Sequence, residues 1–311
     1  MIIQYALTAA LAYGVAVLFA ARKKINDTTK HLPPAPDCGF LEYITNLLSP
    51  KGPMYALEIA RTVGYITRTP GMPNFMNNFA WVNIADPTLA RAILEDSQAT
   101  KPRQAYEFFD RACGGENFFT SNGPRATHVR KSTSAAFSAQ NVKKMGAVVE
   151  EVLDQWIEKR LEPLYVQTGR GVDCDEEFMM VTTDVISRAG FDYELSPDER
   201  LEFSNKMRTI MTVFFGQNLS ITRKLFGFMF ADIREARRLV TELKNKYGYA
   251  ILNASRNNSN PNTASIVHLM LQDTQYDNDD QRARDIMLYF FAGFEVSWPN
   301  STDVFSRCSC I

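Results

Sequence analysis

The chain has 311 residues with 45% hydrophobic content, ample for a sizeable core in one large domain or two ordinary ones. A formal net charge of −1 argues against electrostatic recognition of nucleic acid and against an acidic tail. The five cysteines (Cys38, Cys113, Cys174, Cys308, Cys310) lack a framework spacing and suit a reducing compartment, and the three histidines (His31, His128, His268) include no pair four apart, which disfavours a zinc site.

Ile2 to Ala21 is apolar apart from Gln4 and Thr8 and is followed at once by Arg22, Lys23 and Lys24. About 20 apolar residues match a bilayer core, so residues 1–21 are expected to form an uncleaved membrane anchor. The charges after it are expected to keep the body cytosolic, leaving the sequons at Asn26, Asn218, Asn253, Asn257 and Asn300 unused. Leu32, Pro33, Pro34, Ala35 and Pro36 then form a stiff elbow, making 22–52 a basic, proline-rich hinge.

The globular part starts at Pro53. A short helix is expected over Met54 to Thr62, then strands over Gly64 to Arg68 and Ala80 to Ile84, joined by the turn-rich Pro70 to Asn78. Asp86 as N-cap and Pro87 at the first helical position open a helix through Leu94. A basic helix covers Arg130 and Lys131 and runs to Ala135, Ala136, Phe137 and Ser138. Met145, Val149, Val152, Trp156 and Leu161 recur at helical spacing, and Phe178 to Gly190 reads as another helix. Ser196, Pro197 and Glu199 make a capping box for a helix through Phe215. Phe214, Phe215, Phe226, Phe228 and Phe230 form an aromatic-rich zone, Ile233 to Ala254 is long and amphipathic, and Asn257 to Asn262 is a polar loop.

The last stretch, Asp285 to Ser297, is a continuous apolar run ending in Ala292, Gly293, Phe294 and Glu295. Too short to cross a bilayer, it reads as a helix buried on all sides. Glu295 is either solvated beyond a helix-ending glycine or buried with a partner or a task, since an unpaired buried carboxylate is costly.

Ala292, Gly293 and Glu295 resemble the oxygen-binding groove of cytochrome P-450 monooxygenases, Ala/Gly-Gly-x-Asp/Glu-Thr-Thr/Ser. The proline elbow resembles the hinge of the microsomal members. The hairpin with its Asp-Pro helix, Arg130 in the place of the C-helix arginine, and Thr182 to Ala189 as an E-helix follow in the family's order. The resemblance implies a mainly α cytochrome P-450 fold with a small β-region, of which 53–295 is the N-terminal two-thirds. It implies haem b, with Arg130 and His128 as propionate donors, although Ala126 stands in the tryptophan place. It also implies insertion of one oxygen atom into a small apolar substrate, a reductase as electron donor, and a place on the endoplasmic reticulum membrane, with the phenylalanine-rich zone roofing the pocket and touching that membrane.

The family's Glu-x-x-Arg pair and its haem-binding cysteine loop lie downstream of the groove and are not matched here. Glu58 with Arg61 and Glu235 with Arg238 precede the groove, and Phe305 to Cys308 lacks the loop's glycines. The chain is therefore expected to be inactive as written, with a non-family tail over 296–311. Val296 and Ser297 can be encoded by the opening bases of an intron, which makes read-through the expected origin of that tail; the transcript sequence tests it. The rival reading is a non-enzymatic, membrane-tethered binder of lipid-like ligands.

Overall fold

The structure, a computed structural model, describes residues 51–68, 82–163, 174–258 and 265–295, with scattered positions between 16 and 49 and at 166. The chain divides into two units, Met1–Thr100 and Lys101–Ile311.

In the first unit, helix α1 (Gly52–Thr62) precedes β1 (Ile66–Arg68) and β2 (Val82–Ile84), which pair antiparallel with Ile66 opposite Ile84. Pro34 makes an isolated parallel bridge to Arg68 on the ribbon. Helix α2 (Pro87–Glu95) starts as its sequence dictates: the Leu89 N–H donates to Asp86 Oδ1 at 2.8 Å, satisfying one of the first-turn N–H groups that lack a helical acceptor. The loop expected over Pro70 to Asn78 lies outside the described residues.

The regular elements of the second unit are helical among the described residues. Helix α3 (Arg103–Cys113) ends on Gly114, whose φ of 80° is left-handed backbone that glycine adopts without steric cost. Helix α4 (Pro124–Thr133) runs into a 3₁₀ turn (Ser134–Phe137) and then α5 (Ala139–Trp156), which passes into a π turn (Ile157–Leu161). Helix α6 (Cys174–Val185) likewise continues as a π turn (Ile186–Gly190). The capping box at Ser196 is present at both bonds and opens α7 (Pro197–Leu219), one turn longer than expected. After α8 (Ile221–Leu225), the amphipathic stretch resolves into α9 (Ala231–Leu243), a π turn (Lys244–Gly248) and α10 (Tyr249–Asn257). Helices α11 (Ile266–Gln272) and α12 (Asp279–Glu295) complete the unit.

Helix α12 is the rod on which the core assembles. Ala283, Ile286, Met287, Leu288, Phe290 and Phe291 are all buried, as expected for a stretch apolar on every face. Its neighbours are α3, α6, α10 and the π turns at 186–190 and 244–248. Phe290 packs edge-on against Phe191 with ring centroids 5.0 Å apart, and Phe291 meets Phe108 and Phe109 in the same manner. The rod begins at Asp279, six residues before Asp285, where Asn278 Oδ1 accepts from the Gln281 N–H and Asp279 and Asp280 suit the positive end of the helix dipole.

The membrane expectation is corrected. Among the described residues no helix is long and apolar enough to cross a membrane, so the single N-terminal anchor and the endoplasmic reticulum placement are withdrawn. Of residues 1–21 only Ala16 and Ala20 are described; 296–311 lie wholly outside the described residues.

Candidate functional site

The candidate site is the face where α4 meets the second half of α12. The Tyr289 hydroxyl lies 3.1 Å from Thr133 Oγ1, tying the two helices together, and Phe137 stacks on Tyr289 with centroids 6.2 Å apart. Burial pushes the Tyr289 hydroxyl up to about 12, with the Thr133 bond opposing and the Asp285 charge adding to the shift. Residues three and four apart share a helix face, so Tyr289, Ala292 and Gly293 form one strip along α12.

Along that strip Ala292 is exposed and Gly293 half-buried. A Cβ built on Gly293 would lie 3.3 Å from Ile186 Cβ, so the glycine lets α12 settle onto the π turn at 186–190. Glu295 closes the helix, and its side chain lies outside the described residues.

The structure separates the two expected propionate donors. Positions two apart on a helix point about 200° from one another. Arg130 is exposed on the side of α4 that acts electrostatically on Lys101 and Tyr289, and among the described residues its guanidinium has no hydrogen bond or ion pair. Burial and that Arg130 charge both lower Lys101, whose ammonium donates to the Phe119 and Ser121 carbonyls. His128 points instead to the end of α11, where its Nε2 lies 3.1 Å from the fully buried Asp273 side chain. Asp273 also accepts from Ser132 Oγ at 2.6 Å and from the Gln275 N–H at 2.8 Å. Burial alone would raise this carboxyl, but those donors and the His128 charge hold it below the usual range. Ala126, in the tryptophan place, is buried.

One turn before Tyr289 on the same helix face sits a carboxylate to which the sequence assigns no role. Asp285 is fully buried; it accepts from the Tyr276 hydroxyl at 2.7 Å and from the Phe118 N–H at 2.9 Å. Desolvation raises it to about 6 against the pull of those two donors and of Arg125 and Arg284. Arg125 lies over the Tyr276 ring at 5.8 Å with its Nε and Nη2 buried and unpartnered. The available signal was Asp285 itself, an acid opening an apolar run.

Haem needs three kinds of group: donors for its carboxylates, a low wall on its oxygen side, and an axial ligand. Arg130 fits the first, because a free guanidinium fork matches a carboxylate. Exposed Ala292, with only a methyl group, fits the second. The third finds no match among the described cysteine side chains. Cys113 is buried in the core, where desolvation, then Asp285 and Asp110, push its thiol well up and away from the thiolate.

The cytochrome P-450 family model matches residues 70–297. Cytochrome P-450 734A1 of Arabidopsis thaliana is 31% identical over 114 residues, covering 35% of this chain and 21% of that protein. Cytochrome P-450 monooxygenase vrtK of Penicillium aethiopicum is 24% identical over 179 residues, covering 57% and 32%. Among solved structures, a cytochrome P-450 OleT variant in complex with arachidonic acid aligns with a TM-score of 0.60 at 12% identity, over 84% of this chain and 58% of its own. A variant of cytochrome P-450SP alpha aligns with a TM-score of 0.57 at 10% identity, over 82% and 58%. The chain thus spans less than two-thirds of each of these relatives, and the structural likenesses confirm the expected mainly α fold. With the family match extending over well more than half its length, from the hairpin region through the end of α12, this chain belongs to the cytochrome P-450 family.

Proposed function

We propose that this chain supplies the oxygen-side wall of a haem monooxygenase acting on a small apolar substrate with electrons from a reductase partner. The observation that carries the reading is the α4–α12 face. Arg130 stands free beside the Tyr289–Thr133 tie, and Ala292 is exposed one turn further along the same strip. Haem held by a thiolate supplies the activation of dioxygen. Arg130 would hold a propionate; His128 would have to release Asp273 to do the same. Ala292 and Gly293 keep the wall low, and Glu295 is the carboxyl placed by sequence to carry protons toward the oxygen side. The rings of Phe118, Phe137 and Phe191 around Tyr289 give the neighbourhood its apolar character.

Because the family's cysteine loop is not matched in this sequence, residues 1–311 on their own should take up haem without a thiolate bond. The test is titration of the purified chain with haem, followed by reduction under carbon monoxide. Uptake without a thiolate-type carbonyl spectrum is expected, weakened about tenfold by Arg130→Ala, the scale of one charge-assisted hydrogen bond. A thiolate-type spectrum, or uptake indifferent to Arg130→Ala, overturns the reading.

A further inference from the structure

On another side of the second unit, the end of α5 and its π turn, α6 and the start of α7 enclose a groove of about 410 Å³. That is the size of an ordinary small-molecule site. Val152, Trp156, Met180 and Leu201 line it with apolar surface. The Trp156 ring is fixed there, since its Nε1–H donates to the buried carboxylate of Glu177 at 3.0 Å and its face rests on Phe178.

The buried polar atoms of this groove are not all paired. Arg160 is taken by Glu177 and Arg200 by one oxygen of Asp184. Lys159, Glu194 and Asp198, which also line the groove, are exposed and have no ion pair among the described residues. Asp184 is 2% exposed; its other oxygen, Oδ1, is buried with no hydrogen-bond donor, and Arg200 Nε is buried with no acceptor. Desolvation holds this carboxyl above its usual range despite the Arg200 and Arg188 guanidiniums. An acceptor left so is destabilising, and it selects a ligand that brings N–H donors and positive charge. A metal ion does not answer the need, for among the described residues no cluster of His, Cys, Asp or Glu could hold one.

We propose that this groove is a binding site for a small amphiphilic monocation, an arylalkyl ammonium that donates to Asp184 Oδ1 and lays its apolar body against Trp156, Val152 and Met180. The site is separate from the α4–α12 face and does not depend on haem. The full chain is titrated with phenethylammonium while the Trp156 indole N–H resonance is followed, with 2-phenylethanol as the neutral counterpart of similar shape. Saturable movement of that resonance is expected with the amine, with binding at least tenfold weaker for the alcohol and for Asp184→Asn. Should Asp184→Asn fail to fold, Met180→Trp fills the groove while leaving the Asp184–Arg200 pair intact, and it should abolish the response. Equal binding of amine and alcohol overturns the proposal. So does amine binding that survives either folded variant, or the absence of any saturable response, which would leave water as the partner of Oδ1.

Discussion

Asp285 is a fully buried carboxylate within the core, held by Tyr276 and the Phe118 N–H. Its folded value near 6 exceeds its ordinary value of 3.8, so between these pH values the native state holds a proton that the unfolded chain has released. Stability from this group is therefore fully present below about pH 4 and is lost as the pH rises through 6. Asp285→Asn keeps an acceptor for the Phe118 N–H but cannot ionise. Its stability relative to wild type, read from urea midpoints, should improve on the order of 2–3 kcal/mol between pH 4 and pH 7. An unchanged difference across that range would show that Asp285 is not the titrating group. His128 illustrates a different residue-scale point. Its partner Asp273 lies 145 positions away, so neither its bond nor its separation from Arg130 could be seen in a local motif.

At the scale of elements, much was legible where the cause is local. The Asp86 cap with Pro87, the Ser196 capping box and the unbroken apolar run of α12 each specify their helix from a few neighbouring residues. The three π turns were not legible, because one extra residue in a turn leaves the apolar spacing of a long helix looking nearly regular. Gly293 depends on one of these turns. The nearest atom to an added Cβ is Ile186 Cβ, which cannot swing aside without its backbone. A side chain there gains about 1 kcal/mol in helix propensity, but overpacking costs typically 1–3 kcal/mol. Gly293→Ala should consequently be near neutral, whereas Gly293→Leu should lower stability by about 1–3 kcal/mol in thermal or urea unfolding. Full stability in the leucine variant would mean that α12 does not rest on the turn at 186–190.

For the whole molecule, the family and its fold class could be read from the order of elements, while the placement of the wall could not. The order survives because each helix and the hairpin carry their own start and stop signals. The wall depends on contacts such as Tyr289 with Thr133, which join parts of the chain 156 residues apart. The connected apolar core, from Phe108 to Phe291, lies entirely within the second unit. A chain limited to residues 101–295 should therefore keep a cooperative thermal transition and a helical circular dichroism spectrum. Loss of cooperativity on removing 1–100 would show that the two units share their stability.

The turn at 244–248 sets the phase of α10. Each residue of an α-helix advances the azimuth by about 100°, and a π turn takes up one surplus residue without spending that rotation. Ile251 and Leu252 are buried only because their segment is clocked against this slip, while a Cβ added at Gly248 would lie 3.1 Å from Ala283 Cβ. This length of helix is consequently tuned in residue number more than in composition: removing one position would turn the segment beyond it as a screw turns, carrying its apolar edge out of the core.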